Sequence, residues 1–281
     1  MSTSTNTTGR TPALKGVLRP EEMARHVTFD ECPPTPGAAP WVERVWSVSW
    51  DLPDGVEHVN SIVPHPSASL TVERGQVDRD AAHEPGVWVT GVMTQRFDAV
   101  CRGRGGVVGV KFHPGGFTAL TGVAAADLTD RSAPAAGLVP GWEALVDLPL
   151  DAHASAEALC RLVETLAGAR EPDPGYRQVT EVVRHLQDPS LTRVDDLAAR
   201  CGISVRALQR LLRRYVGVGP KWMVARRRLH DAVATLDDGY AGSLADLAAS
   251  AGWYDQNQFA RDFAALVGTT PSAYRDRTPS D

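Results

Sequence analysis

Apolar positions follow two rhythms along the chain. Trp46, Val48, Trp50 and Leu52 alternate with Ser47, Ser49 and Asp51, the period of a half-buried strand. Short β-type runs follow at 59–63, 70–73, 87–89 and 107–112, separated by Gly or Pro clusters. These runs predict a small, mainly β region over residues 40–150. Leu159, Leu162, Val163 and Leu166 then fall at helical spacing and predict a helix that closes it. The stretch 168–175 (GAREPDPG) reads as a linker. Beyond it every segment has helical period: Val179, Val182, Val183 and Leu186 share one stripe, and Pro189 ends it. A short helix over 194–201 buries Val194, Leu197, Ala198 and Cys201 in this reading. The fold class is therefore α+β, a mainly β N-terminal domain followed by an all-α C-terminal one.

The helical part repeats itself. Leu197, Ala198, Gly202, Leu208, Arg210, Leu212, Gly217 and Pro220 recur as Leu247, Ala248, Gly252, Phe259, Arg261, Phe263, Gly268 and Pro271. The offset is 50 residues before the turn and 51 after it, so the second turn carries one extra residue. Gly202 suits a left-handed turn that other residues resist, while Ser204 and Asp255 are good N-caps for the helices that follow. Two short helices joined by a glycine turn form the unit that places a helix in the DNA major groove. A helix over 220–236, with Trp222, Ala225, Leu229, Ala232, Val233 and Leu236 on one side, joins the two units. Its residues span about 25 Å at 1.5 Å each. Successive major grooves on one DNA face lie about 34 Å apart, a spacing the joining helix and the widths of the units can supply.

Charge supports the same picture once the chain is divided. The net charge is −5 overall; residues 1–175 hold 14 Lys and Arg against 22 Asp and Glu, whereas 176–281 hold 15 against 12. From Leu197 to His230 there is no acidic residue, yet Arg200, Arg206, Arg210, Arg213, Arg214, Lys221, Arg226, Arg227 and Arg228 fall there. A window of this kind makes a local positive face whatever the total. In the first unit Leu208, Leu211, Leu212 and Tyr215 share one helix face, and Arg206, Gln209, Arg210 and Arg213 the opposite one. Arg can bridge guanine O6 and N7, and Gln can bridge adenine N6 and N7; Arg213, a turn further on, is better placed for phosphate. In the second unit Phe259, Phe263 and Leu266 face inward, leaving Gln256, Asn257, Ala260 and Arg261 outward or flanking. Ala264 and Ala265 stand where the first unit has Arg213 and Arg214, so the first unit is expected to supply more electrostatic affinity. Arg226, Arg227 and Arg228 are expected to meet phosphates, unless one of them pairs with an acidic residue in the core between the units.

These residues resemble the C-terminal DNA-binding domain of the AraC/XylS family of transcription regulators. The resemblance covers 176–275 and rests on LAARCGIS at 197–204, Leu208–Gln209–Arg210, the Gly217 to Pro220 step, 226–229, and LADLAASAGWYDQNQFARDFAALVGTTPSAYR at 244–275. It implies base contacts from Arg206, Gln209 and Arg210 in the first unit, and from Gln256, Asn257 and Arg261 in the second. Trp253–Tyr254 departs from the family, which more often has Phe and a small or acidic residue there. The N-terminal part resembles the small β-rich domain that precedes this domain in one branch of the family, through 41–50, 62–70 and 109–116 (GVKFHPGG). Its ligand cannot be carried over. The resulting division is a disordered tail at 1–18, a β-rich sensor or dimerisation domain at 19–167, a linker at 168–175 and the DNA-binding domain at 176–277.

The remaining chemistry is sparse. Cys32, Cys101, Cys160 and Cys201 lie far apart without a C-x-x-C pair, and read as reduced, mostly packed thiols. His58, His65, His83 and His113 are scattered where a metal site needs converging ligands, so no metal, cofactor or catalytic residue is assigned. An alkyl-accepting DNA-repair role needs clustered cysteines that this chain lacks. No apolar run approaches the roughly 20 residues that span a membrane, and the first residues, MSTSTNTTGR, lack a signal-peptide core; cytoplasmic residence follows. The expected partner is double-stranded promoter or operator DNA, bound by a homodimer. The reading admits RNA polymerase and a small-molecule effector as further partners. Its alternative is a DNA-binding regulator controlled by protein contacts alone, with no ligand pocket.

Overall fold

The structure, a computed structural model, describes residues 26–78, 84–169 and 171–276. The tail expected at 1–18 and His83 lie outside them. Strands β1 (Val27–Cys32), β2 (Val42–Asp51), β3 (Glu57–Ile62), β4 (Ser69–Asp78), β5 (Gly86–Thr90), β6 (Phe97–Phe112) and β7 (Ser132–Pro134) form one antiparallel sheet. The order is β1-β2-β6-β4-β5-β7, with β3 pairing the first half of β6. A short helix α1 (Gly116–Thr121) follows β6, and α2 (Ala152–Ala167) closes one face of the sheet. Asp151 caps α2 by accepting the Ala154 amide at 2.7 Å.

Apolar clusters lie on both faces of this sheet, which alters the expected alternation of β2. Val45, with Leu70, Val72, Val108 and Val110, packs under Leu159 and Val163 of α2. Val48 and Trp50 pack on the other side with Val27, Cys101 and Val107. Ser47, expected to face water, is buried, and its hydroxyl accepts the amide of Ala152 at 3.1 Å. The run at 107–112 is only the last six residues of a 16-residue strand. Its middle carries CRGRGG, a composition that reads as a turn, yet Gly105 is needed there: a Cβ would lie 2.4 Å from the Trp50 ring and 2.7 Å from the Arg74 carbonyl oxygen.

Helices α3 (Pro174–His185), α4 (Val194–Arg200), α5 (Val205–Tyr215), α6 (Pro220–Asp237), α7 (Leu244–Ser250), α8 (Gln256–Val267) and α9 (Pro271–Arg275) complete the chain. Helix α3 begins inside the stretch read as a linker, because Asp173 caps it through the amides of Gly175 and Tyr176 at 2.8 and 3.0 Å. Two separate cores result. Val179, Val182, Leu197, Leu208, Leu212 and Met223 build the first; Leu229, Leu236, Leu247, Phe259 and Phe263 build the second. Among the described residues no helix is long and apolar enough to cross a membrane.

The β domain enters both cores. Val92, 3% exposed, belongs to the first and Val63, 1% exposed, to the second. Thr129 donates its hydroxyl to the Gly217 carbonyl at 2.9 Å, and Tyr176 donates to the Pro40 carbonyl at 2.7 Å.

Candidate nucleic-acid interface

The first unit is α4, its turn and α5. Gly202 has φ +65°, the left-handed value, and Ser204 accepts the Ala207 amide at 3.2 Å to start α5. Leu208 and Leu212 are buried, and Leu211 and Tyr215 half-buried, so a fully apolar face anchors the helix. Arg206, Gln209, Arg210 and Arg213 are all exposed on the opposite face. None of these four side chains makes a hydrogen bond or ion pair among the described residues. Neighbouring cations are already engaged: Arg200 meets Asp188 at 3.1 Å and Arg193 meets Asp195 at 3.6 Å. Unpaired guanidiniums on a rigid helix can meet phosphate or guanine without first breaking an internal contact.

The far end of α5 is tied to α3. Tyr215 donates its hydroxyl to the Asp173 carboxylate at 2.6 Å. Partial burial alone would raise the Asp173 pKa, but this bond, the two capping amides and the charge of Arg214 together hold it below the usual aspartate value. Burial and the same hydrogen bond push the Tyr215 phenol up to about 12.

The joining helix α6 corrects two expectations. Ala225 is exposed, while Met223 and Val224, on the adjoining face, are buried with Leu229. The three arginines at its centre are not available to phosphate. Arg226 is 2% exposed; its Nε donates to the Pro64 carbonyl of the β domain and its Nη2 lies 2.7 Å from His230. Burial pushes its pKa down to about 9, which leaves it charged at neutral pH. Arg227 pairs with Asp231 at 2.5 Å and reaches the Pro189 and Leu191 carbonyls, both at 3.3 Å. Arg228 donates to the Ala251 carbonyl at 2.5 Å and lies over the Trp253 ring, 4.1 Å from its centroid. A buried guanidinium needs acceptors, and carbonyl oxygens at loop and helix ends supply some of them, while Arg226 Nη1, Arg227 Nε and Arg228 Nη2 are buried without a partner among the described residues.

The second unit is α7, its turn and α8. Gly252 repeats the left-handed turn at φ +81°, and Asp255 caps α8 through the Gln258 amide at 2.7 Å. Its core is aromatic: Trp253 and Phe259 lie 4.9 Å apart, Phe259 and Phe263 5.6 Å, and Phe263 and Tyr274 5.6 Å, all ring to ring. Gln256, Asn257 and Arg261 are exposed, and Ala260 is half-buried. The structure thus brings Arg206, Gln209, Arg210 and Arg213 onto one helix face, and sets Gln256, Asn257 and Arg261 at the surface of another. Tyr254, which the sequence marks as a departure from the family without giving it a role, is 94% exposed beside Asp255.

Elsewhere the chemistry is quiet. Among the described residues no three His, Cys, Asp or Glu side chains converge as a metal would require. Cys32, Cys101 and Cys160 are buried, and burial pushes the Cys32 thiol up. Pro66, Gly91, Val92, His113, Thr118 and Tyr215 line a cleft between the β domain and the first unit. Its volume of about 10 Å³ is room for one water and no larger ligand.

Paired helix-turn-helix units, each with a solvent-facing second helix, define the class: a double helix-turn-helix protein. Residues 197–277 match the family described as helix-turn-helix domain, and 30–134 the family described as Domain of unknown function (DUF6597). YkgA of Escherichia coli (strain K12), named as an HTH-type transcriptional regulator, is 36% identical over 84 residues, which are 30% of this chain. The match spans 35% of YkgA's own length. A solved AraC-type transcriptional regulator from Chromobacterium violaceum is 24% identical and covers 37% of this chain and 94% of its own, with a TM-score of 0.34. The DNA-binding domain of AdpA, solved with a target DNA, is 27% identical, covers 37% and 91%, and has a TM-score of 0.31. These matches support a DNA-binding regulator of the AraC/XylS type, with the helix-turn-helix domain at residues 197–277.

Proposed function

We propose that the chain regulates transcription by seating α5 and α8 in two successive major grooves of promoter DNA. Arg206 and Arg210 contact guanine and Gln209 adenine, while Arg213 holds phosphate. Gln256, Asn257 and Arg261 make the contacts of the second groove. The observation that carries this reading is the row of exposed, unpaired side chains on α5, opposite a face locked by Leu208 and Leu212. The active species is a homodimer that meets RNA polymerase at the promoter.

The β domain, residues 19–167, conveys a small-molecule signal to the readers. Val92 in the first core, Val63 in the second and the Pro64 carbonyl on Arg226 support this part. A shift of either loop changes packing beneath a reading helix, and packed cores respond in discrete steps. Selection of bound DNA from a random pool, followed by metabolite titration of the full chain on that site, tests both parts. A selected site with two half-sites one helical turn apart for each protomer, and a metabolite that changes affinity for it, is the expected result. A single selected half-site removes the two-groove reading; a metabolite-insensitive protein regulated by a partner protein favours control by protein contacts.

A further inference from the structure

The extra residue of the second turn can be identified from hydrogen bonds. In the first unit the Ile203 amide bonds the Ala198 carbonyl at 3.1 Å, and in the second the Trp253 amide bonds the Ala248 carbonyl at 2.9 Å. Trp253 is therefore the counterpart of Ile203. Ser204 and Asp255 are the two N-caps, which leaves Tyr254 as the residue with no counterpart.

Tyr254 is 94% exposed and makes no side-chain hydrogen bond or ring contact among the described residues. A lone exposed aromatic is ordinary on a protein surface. The mounting of this one is not. Trp253, next to it, is buried and donates Nε1 to Asp262 at 2.9 Å. Arg228 covers the Trp253 ring and holds the Ala251 carbonyl. On the other side Asp255 is engaged as the cap. The backbone on both sides of Tyr254 is thus held, and the ring projects at the N-terminal end of α8, the end from which recognition helices contact bases.

We propose that Tyr254 is a DNA-contacting residue of the second unit, donating its hydroxyl to a phosphate oxygen and packing its ring on the adjoining deoxyribose. Tyr is among the side chains that bond DNA phosphates and so set the register of a helix in the groove. The contact gives the weakly charged second unit a neutral anchor where the first unit uses Arg213. The proposal rests on the reading of α8 as a groove helix.

The test uses the full chain and DNA selected from a random pool. Tyr254→Ala should weaken binding by about five- to tenfold and Tyr254→Phe by about two- to fivefold, the loss of one neutral hydrogen bond with or without the ring. Backbone protection should fade at the second half-site only. The slope of affinity against salt should stay unchanged, because no cation is removed, whereas Arg213→Ala should lower that slope by about one. Thermal unfolding of both Tyr254 variants should match the parent. If Tyr254→Ala leaves affinity and protection unchanged while Asn257→Ala weakens binding at the second half-site, the Tyr254 contact is refuted and the reading of α8 stands. If Tyr254→Ala weakens binding but protection fades at the first half-site, the contact proposed here is refuted. If Asn257→Ala and Tyr254→Ala both leave the second half-site unchanged, the reading of α8 as a groove helix falls and the Tyr254 contact with it.

Discussion

The two units of the DNA-binding region share a backbone plan and divide its chemistry differently. In the first, aliphatic Leu208 and Leu212 form the core and three unpaired arginines share the outer face with Gln209. In the second, Trp253, Phe259 and Phe263 form the core, and the outer face carries Gln256, Asn257 and Arg261. Both turns keep a left-handed glycine and a capped second helix. The apolar frame sets where a reading helix sits, and the solvent face is then free to diverge. Under the proposed function, charge concentrated on the first unit would make it the electrostatic anchor, and the second a reader by hydrogen bonds.

The strongest way to break this comparison is to remove the second frame. Phe259→Ala should cost about 3–5 kcal/mol of stability, because a fully buried ring in an aromatic cluster leaves a cavity; denaturant unfolding measures it, and protection at the second half-site should vanish with the first retained. Arg210→Ala should cost about 1–3 kcal/mol of binding and relax discrimination at one base pair, read by affinity across single-base variants of the site, with thermal stability unchanged. Val63→Ala should cost about 1.5 kcal/mol or more, by deleting two buried methyl groups and leaving a cavity in their place. Its effect on binding should appear at the second half-site, whose core Val63 enters.

The smallest effect concerns the first unit's tie to α3. Asp173→Ala should cost about 1 kcal/mol, the value of an N-cap. The Asp173 carboxyl has a folded pKa below its unfolded one, so its contribution is complete above the ordinary aspartate value and is lost as pH falls through the folded value. Parent and variant stability curves should therefore converge in acid and remain separated at neutral pH.

Local signals made the helical half legible. Helical period, glycine turns and N-caps all act within a few residues, and Gly202, Ser204, Gly252 and Asp255 stand in the roles their types suggest. The sheet was less legible. β1 is a short mixed run, and the middle of β6 is rich in Gly and Arg; both depend on partners distant in sequence. Arg226 shows the same limit at the interface. It looks like a phosphate contact beside Arg227 and Arg228, yet its acceptor is Pro64, 162 residues away. Charge in a sequence window shows how much cation there is, and only packing shows which of it faces water.

The most direct test of the two-groove account is hydroxyl-radical footprinting of the full chain on its selected site, repeated with Arg210→Ala and Asn257→Ala. The account predicts, for each bound protomer, two protected patches about 34 Å apart on one DNA face, the first weakened by Arg210→Ala and the second by Asn257→Ala. One protected groove, or two variants that weaken the same base pairs, would contradict it.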